Sequence, residues 1–445
     1  MTDYVETYRK RTPQSEALFK RAREVMPGAI SHSIHYFPPY PFYLKEAQGP
    51  RVRDVDGNEY VDLWMGHYTH ILGHRPTEVV EAIERQLGQG LHWGIVFEQQ
   101  IEWAELVREM IPGAEMVRFN CSGTEATMYA VRTARAYTGK NVVLKIAGGW
   151  HGANSDLSVG IKMPYDKSES LGLLPGLDQY TQAIPFNDIP GTLEVIERNR
   201  KDWACVILEP VIGEGGFLPA DRDYLRMLRA ETEKAGALLI FDEVISGFRV
   251  SAGGAQKAFG ITPDMTTLGK ILGGGLPVGA IAGKKEILDR TSPERKLPKS
   301  ERIMIGGGTF SSHPLTVAAG TAMLRYLKDH AAEVYPLLAA KGKKAREGVE
   351  QAMKAEGVDV FVSGIGSLYQ THFPTEKGKI LNSPQAINRF TDTDRRENEF
   401  RMRMMNHGVH VMHGGGALSI THTDEDIDRI IEAARRAARE MKNGK

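Results

Sequence analysis

The sequence predicts an α/β protein with a mostly parallel sheet covered by helices. Between about residues 76 and 278, helical patterns alternate with the short apolar runs "NVVLKIAGG", "WACVILEPV" and "ALLIFDEV", and such alternation is typical of parallel strands joined by helices. Beyond the glycine-rich "IMIGGGTFSSHPL", long helical patterns and the strand-like "GIGSLYQTHF" and "HVMHGGGALSIT" follow. We therefore expect a large α/β domain and a smaller α+β domain that takes residues from both chain ends.

The two chain ends carry the clearest local patterns. An amphipathic helix is expected to stop near "MPGA", and "PRVRDVDGNEYVDLW" alternates around Asp56-Gly57, which predicts a β-hairpin. Near the C-terminus, Thr423 and Asp426 have the spacing of a capping box before an amphipathic run, which predicts a closing helix. The predicted segments are the N-terminal part of the small domain at residues 1–75, the large domain at 76–314 and the C-terminal part of the small domain at 315–445.

Composition excludes several classes of partner. The 56 basic and 56 acidic residues leave no net charge, so no bulk attraction to nucleic acid or to an anionic membrane is expected. Cys121 and Cys205 are too few for a disulfide framework. No apolar stretch approaches the roughly 20 residues that span a bilayer, and the charged N-terminus lacks a signal-peptide pattern. We expect a cytoplasmic protein that binds neither nucleic acid nor membranes.

The residues that follow the apolar runs are candidates for chemistry, because ligands of open α/β sheets bind at the carboxyl ends of the strands. Asp242 ends "ALLIFD", and a carboxylate at the end of a buried strand needs a partner. One interpretation is a helix cap or an ion pair with Arg249. The other is the protonated heterocyclic nitrogen of a bound cofactor. Spacing alone leaves both open.

Lys270 lies 28 positions after Asp242, in the apolar and glycine-rich "DMTTLGKILGGGLPVGA". Most lysines are solvated surface residues. An amine flanked by apolar residues is a candidate for partial desolvation, which lowers its pKa and suits Schiff-base chemistry.

A candidate phosphate cradle lies in "NCSGTEATMYAVRTARAYTG", where Ser122, Gly123 and Thr124 precede a long helical pattern. Small residues let backbone N–H groups approach an anion, and the helix dipole adds favourable potential. The alternative is plain N-capping by Ser122 or Thr124. Neither a P-loop nor a Gly-x-Gly-x-x-Gly pattern occurs, and the histidines and cysteines lack zinc-ligand spacing, so no metal is expected.

Taken together, "NCSGTEA", "GGWHG", "EPV", "FDEVISGFRV", "TLGKILGGGLPVGA" and "GGGTFSSHPLTVAAG" resemble the class III pyridoxal-phosphate (PLP) aminotransferases of fold type I. The segments "DEVISGFRV" and "LGKILGGGLPVGA" are similar to the glutamate-1-semialdehyde aminomutase branch. The segments "MPGAISHSI", "PPYPFYL" and "GIGSLYQTHF" are similar to β-amino-acid aminotransferases. The resemblance covers most of the chain.

This resemblance implies a role for each motif. Asp242 would pair with the protonated pyridine nitrogen of PLP, and Lys270 would bind the cofactor's aldehyde and later move a proton on the substrate. The remaining assignments are Ser122, Gly123 and Thr124 at the phosphate, Trp150 and Val244 on the two ring faces, Thr309 at the phosphate of a neighbouring subunit, and His151 and Glu209 behind the ring. A homodimer or higher homo-oligomer follows from the role of Thr309.

The substrate pocket departs from both similar branches. The aminomutases carry an arginine in an "SPVRAF"-like segment where this chain has His35, and an acidic residue where it has Gly414. The β-amino-acid enzymes place arginines at about His32 and His413. A neutral imidazole cannot replace the bidentate guanidinium fork, so strong selection of a substrate carboxylate is not expected.

Aromatic residues near these histidines, Tyr36 and Phe37 among them, either line an apolar pocket or pack in a core. The predicted function is an aminotransferase that moves an amino group between an amine or aryl β-amino acid and a keto acid or aldehyde. The alternatives are a glutamate-1-semialdehyde 2,1-aminomutase and a non-catalytic PLP-binding protein.

Overall fold

The structure, a computed structural model, describes residues 3–294, 298 and 302–442. Its contacts divide the chain into two compact units. The small unit contains residues 1–76, 337–379 and 390–445, and the large unit contains residues 77–336 and 380–389. The domain limits expected from the sequence, 75/76 and 314/315, stay predictions.

The strands are β1 Leu44–Gln48, β2 Arg51–Asp54, β3 Glu59–Asp62, β4 Met116–Asn120, β5 Val142–Ile146, β6 Thr181–Ile184, β7 Trp203–Leu208, β8 Val211–Ile212, β9 Leu218–Pro219, β10 Leu238–Asp242, β11 Met265–Gly269, β12 Gly279–Gly283, β13 Phe361–Ser363, β14 Leu368–His372, β15 Val409–His410 and β16 Gly415–Ala417. The α-helices are α1 Asp3–Arg11, α2 Pro13–Arg23, α3 Met65–Tyr68, α4 Thr77–Leu87, α5 Glu98–Met110, α6 Gly123–Thr138, α7 Leu177–Tyr180, α8 Ile189–Asn199, α9 Arg222–Ala235, α10 Gly254–Phe259, α11 Lys285–Leu288, α12 Pro314–Asp329, α13 Ala331–Ala355, α14 Pro384–Phe390, α15 Arg401–Asn406 and α16 Asp424–Lys442. None of the helices in these ranges is long and apolar enough to cross a bilayer.

The large unit is built on a seven-stranded sheet in the order β4-β12-β11-β10-β7-β5-β6. All of its strands run parallel except β12, which is antiparallel to both neighbours. Every residue of β5, β7, β10 and β11 is buried, which explains why these strands are almost continuous apolar runs rather than alternating ones. The predicted fold class, fold type I with a mostly parallel sheet flanked by helices, is confirmed.

Helix α6 anchors one face of this sheet against β11 and β12. It begins at the N-cap Ser122 and ends at Gly139, whose left-handed conformation (φ 68°) is the usual glycine stop. Its buried Ala126 and Ala130 belong to one core cluster with Ile207 and Ile240 of the sheet. The cap therefore also fixes where the Ser122 segment lies at the sheet edge.

The small unit contains a four-stranded sheet, β1-β2-β3-β15, and a three-stranded sheet, β13-β14-β16. The predicted hairpin is confirmed, since β2 and β3 pair antiparallel and Gly57 has a φ of 89° in the turn. The predicted capping box is confirmed too. Thr423 N donates to Asp426 Oδ2 (2.9 Å) and Asp426 N donates to Thr423 Oγ1 (3.2 Å), which opens α16.

One expectation about the N-terminus is wrong. The sequence pattern predicts a single amphipathic helix, but the structure has two, α1 and α2, separated at Thr12. Pro13 lacks the N–H that would continue the first helix, and its ring disfavours a helical conformation at the preceding residue. Proline is well tolerated in a first turn, so a new helix starts there.

Candidate active site

The residues predicted from strand ends do meet at one edge of the large sheet. Strands β4, β5, β7, β10 and β11 all point the same way, so their carboxyl ends lie together. Each of them is followed within a few residues by a candidate: Ser122 after β4, Trp150 and His151 after β5, Glu209 after β7, Asp242 at the end of β10 and Lys270 directly after β11. All lie in the large unit.

Asp242 is 4% exposed and uses both carboxylate oxygens. Its Oδ2 lies 2.7 Å from Nδ1 of His151, which donates because a carboxylate only accepts. Its Oδ1 accepts from Thr267 Oγ1 (2.9 Å) and from the backbone N–H of Val244 (3.2 Å). The structure therefore gives Asp242 an imidazole partner in addition to the interpretations that spacing left open, and pairing with a cofactor nitrogen stays a prediction.

Lys270 sits in a strained backbone conformation. Its φ is 48°, a region that non-glycine residues rarely adopt and that often occurs at functional sites. Burial lowers the pKa of its amine, and the carboxylates of Asp242 and Glu209 oppose that effect. An amine with a lowered pKa has a larger reactive neutral fraction, as covalent chemistry at a carbonyl requires.

The Ser122 segment caps α6 and lies directly after β4. Ser122 Oγ accepts from Glu125 N (3.2 Å), so the capping interpretation describes this side chain as it stands. A Cβ on Gly123 would lie 3.3 Å from Val244, and a Cβ on Gly152 would lie 2.3 Å from Thr124 Oγ1. A larger residue at Gly152 would therefore clash with Thr124, and the N-terminus of a helix is a common place for proteins to bind phosphate.

Val244 links the cradle to the lysine. Its side chain would contact a Cβ at Gly123 and a Cβ at Gly269, each at 3.3 Å, so it lies between the Ser122 segment and the residue before Lys270. Packing of a cofactor ring on this side chain stays a prediction.

The "GGWHG" loop is held by its neighbours. The backbone N–H of Trp150 donates to Glu209 Oε1 (3.0 Å), and the carbonyl of His151 accepts from Thr127 Oγ1 (2.7 Å). Burial lowers the pKa of His151, against the influence of Asp242. Burial and the charge of Asp242 raise the pKa of Glu209, and the N–H groups of Trp150 and Gly213 oppose that effect. His151 Nε2 is buried without a hydrogen-bond partner among the described residues.

These residues fit PLP. The helix N-terminus and the hydroxyls of Ser122 and Thr124 suit a phosphate, the carboxylate of Asp242 suits a pyridinium, and the amine of Lys270 suits an aldehyde. The Ser122 segment, the Asp242 carboxylate and the Lys270 amine follow strands whose carboxyl ends meet at one edge of the sheet. Val244 lies between the Ser122 segment and the residue before Lys270.

Thr309 lies apart from this cluster in sequence, on the exposed turn that precedes α12. The neighbouring Gly308 packs on Cys121, since a Cβ there would lie 2.5 Å from the Cys121 sulfur. The turn therefore lies beside the start of the cradle within the same chain. Contact of Thr309 with a neighbouring subunit's phosphate stays a prediction.

The predicted pocket residues all lie in the small unit. His32, His35 and His67 form a cluster with ring centroids 5.2–5.4 Å apart. His35 Nε2 lies 2.9 Å from His67 Nε2. His413 Nδ1 lies 2.9 Å from Glu397 Oε2. Their contact with a substrate stays a prediction.

The two aromatic candidates of this group differ in exposure. Phe37 is 5% exposed and belongs to a core cluster with Tyr8 and Tyr40, which favours the packing interpretation for its ring. Tyr36 is exposed and stacks near Phe19 at 6.3 Å between ring centroids. A pocket role for either ring stays a prediction.

Sequence reasoning missed two residues of the site. Thr267, which donates to Asp242, lies opposite it in the β10–β11 register and three residues before Lys270. Lys145 is fully buried in β5 and donates to the carbonyl of Gly149. The visible hint was a lysine inside the otherwise apolar "NVVLKIAGG".

Comparison with known proteins agrees with this geometry. The class III aminotransferase family model matches residues 35–437. A protein named glutamate-1-semialdehyde 2,1-aminomutase from Methanosarcina acetivorans is 38% identical over 427 residues, covering 94% of this chain and 97% of that protein.

Two solved structures are similar over nearly the whole chain. An omega-transaminase from Sphaerobacter thermophilus has a TM-score of 0.89 and 33% identity, covering 96% of this chain and 98% of the other. A structure described as a transaminase with PLP bound has a TM-score of 0.85 and 34% identity, covering 96% and 97%. This chain belongs to the class III aminotransferases and is a PLP-dependent enzyme of fold type I.

Proposed function

We propose that this enzyme is a glutamate-1-semialdehyde 2,1-aminomutase. The observation that carries the proposal is the 38% identity to a relative of that name across almost the full length of both chains. The sequence motifs favour an intermolecular aminotransferase, whereas the curated relatives favour the aminomutase. Both reactions move an amino group and require the same cofactor machinery.

Bound PLP supplies an electron sink that stabilises a developing carbanion next to the amino group. Asp242, whose carboxylate is oriented by His151 and Thr267, would hold the ring nitrogen in its protonated form. The segment from Ser122 to Thr124 would hold the phosphate, and Trp150 and Val244 would pack on the ring.

Lys270 carries the proton movements. Its amine would hold the aldehyde of the cofactor and, when free, would act as base and acid at the substrate carbon that bears the amino group. Burial lowers the pKa of this amine, which increases the neutral fraction that can accept a proton from the substrate carbon.

A second candidate is an aminotransferase that acts on an amine or aryl β-amino acid. Its support is electrostatic. Burial raises the pKa of Glu397, but the charges of His413 and Arg396 outweigh burial and lower this pKa to about 2. Glu397 is therefore a carboxylate, and it already pairs with His413. Burial and the adjacent His32 lower the pKa of His35, which leaves a neutral imidazole there. Neither position supplies a free cation for a substrate carboxylate.

One experiment separates the candidates. Purified enzyme loaded with PLP is given glutamate-1-semialdehyde alone and, in parallel, an aryl-alkyl amine with a keto acid. The aminomutase proposal predicts consumption of the semialdehyde without a co-substrate. Turnover of the amine pair with an inert semialdehyde would overturn it in favour of the second candidate. A cofactor spectrum that no amine changes would support the non-catalytic alternative, against which the presence of Lys270 and Asp242 argues.

We also propose a homodimer or higher homo-oligomer and a cytoplasmic location. The exposed turn around Thr309 supports the first. Two free cysteines support the second.

A further inference from the structure

A single peptide group in the "GGWHG" loop is held from both of its polar ends. The carbonyl of Gly149 accepts from the Lys145 ammonium (2.9 Å), and the N–H of Trp150 donates to Glu209 Oε1 (3.0 Å). These two atoms belong to the same planar unit, because the C=O of one residue and the N–H of the next share a peptide bond. A cation and a carboxylate thus fix the orientation of one plane.

Lys145 is buried, and its ammonium group donates only to backbone carbonyls among the described residues. The side chain is 0% exposed. Its remaining two donors go to the carbonyls of Leu157 (3.1 Å) and Val159 (2.9 Å), so all three ammonium hydrogens are used on the loop that follows β5. Burial lowers the pKa of Lys145 to about 8, while the charges of Glu209 and Glu169 favour the protonated form.

Glu209 is equally constrained. Its second oxygen accepts from the N–H of Gly213 (3.0 Å), and a Cβ at Gly213 would lie 3.1 Å from that same oxygen. The carboxylate therefore cannot swing away from Trp150 without losing the Gly213 contact. It ties the loop after β5 to the loop after β7.

We propose that Lys145 and Glu209 are positioning residues that clamp the Gly149–Trp150 peptide and thereby orient Trp150 and the His151–Asp242 pair toward PLP. Trp150 begins at the clamped nitrogen, and His151 follows it directly. Neither clamp residue reacts. The inference rests on the proposed roles of Trp150 and Asp242.

The direct test is Lys145→Met, which keeps the length of the side chain and removes its donors. In the cofactor-free protein, hydrogen exchange of the peptides covering residues 148–160 should accelerate by about tenfold or more, since three buried carbonyls lose their partner. In the enzyme loaded with PLP, the dissociation constant of PLP should rise by about tenfold. The absorbance band of the bound cofactor should also shift. Lys140→Met is the matched control, because Lys140 donates to the Ala235 carbonyl (2.5 Å) at the other end of β5.

Glu209→Gln keeps the test decisive if Lys145→Met does not fold. The amide oxygen can accept from Trp150 or from Gly213 but not from both. This variant should therefore shift the same absorbance band of bound PLP, and kcat should fall by a larger factor than KM rises. The double variant should be no worse than the worse single one, because both act on one peptide plane. Normal exchange at residues 148–160 in the cofactor-free variants would overturn the clamp. Faster exchange with an unchanged spectrum and PLP affinity would instead overturn the link to the cofactor.

Discussion

Replacing Asp242 with asparagine removes one negative charge from the site while keeping the size of the side chain. Asp242 accepts from His151 Nδ1 (2.7 Å), Thr267 Oγ1 (2.9 Å) and Val244 N (3.2 Å). The amide oxygen of asparagine can keep the last two contacts. Its NH₂ group can face His151 if the imidazole proton moves to Nε2. The local structure should therefore survive the substitution.

By its proposed role, Asp242 makes a charge-assisted contact with the pyridine nitrogen of PLP, and the substitution would remove that contact. A hydrogen bond to a charged group is worth about 1.5 to 3 kcal/mol. At about 1.4 kcal/mol per factor of ten, the rate of the first amino-transfer step should fall by roughly ten- to 150-fold. Loss of the electron sink adds to this, so the figure is a lower bound.

Stopped-flow absorbance of bound PLP after addition of an amino donor measures this step. Asp264→Asn is the control, because Asp264 is also buried and also accepts a backbone N–H, from Leu239 (2.8 Å), but precedes β11 at the opposite edge of the sheet. Asp264→Asn should lower the melting temperature and leave the rate of the absorbance change almost unchanged. A rate for Asp242→Asn within about twofold of wild type would refute the assigned role of this carboxylate.

Three further predictions concern assembly, substrate and pH. Sedimentation at assay concentration should show a dimer or larger species, because Thr309 is exposed beside Phe310, which is 59% exposed; a fully active monomer would contradict this. His32→Arg or His413→Arg should raise the ratio of kcat/KM for a β-amino acid over the matching amine by roughly ten- to over a hundredfold, and an unchanged ratio in both variants would count against the pocket assignment. Glu397 has a lowered pKa of about 2, so its stabilising pair is complete above the unfolded value near 4.5 and is lost as pH falls toward 2. Over that window the unfolding free energy should fall by about 2 to 3 kcal/mol more in wild type than in Glu397→Gln.

Much of the fold could be predicted because its causes are local in sequence. Strands buried on both faces must be apolar throughout, so β5, β7 and β10 were visible as runs. The hairpin around Asp56-Gly57 and the capping box at Thr423 depend on a few adjacent residues. The break at Pro13 was equally local, yet the amphipathic pattern on either side outweighed it in the prediction.

The site could be predicted only in part, because several of its contacts join residues that are distant in sequence. Asp242 and Lys270 stand out because a charge at the end of an apolar run is anomalous by itself. Thr267 and Lys145 matter through partners set by strand register and loop folding, which no spacing in the sequence reveals. Phe37 shows the same limit, since a core ring and a pocket ring look alike in a proline-rich segment.

We propose that Lys270 holds PLP at this sheet edge. Borohydride reduction of the loaded enzyme, followed by peptide mapping by mass spectrometry, tests it directly, because reduction fixes the cofactor to whichever amine carries it. We predict a single modified peptide containing Lys270 and no fixed cofactor in Lys270→Ala. Modification of Lys145 or of another lysine would contradict the role proposed for Lys270. An unchanged yield of fixed cofactor in Lys270→Ala would contradict it as well.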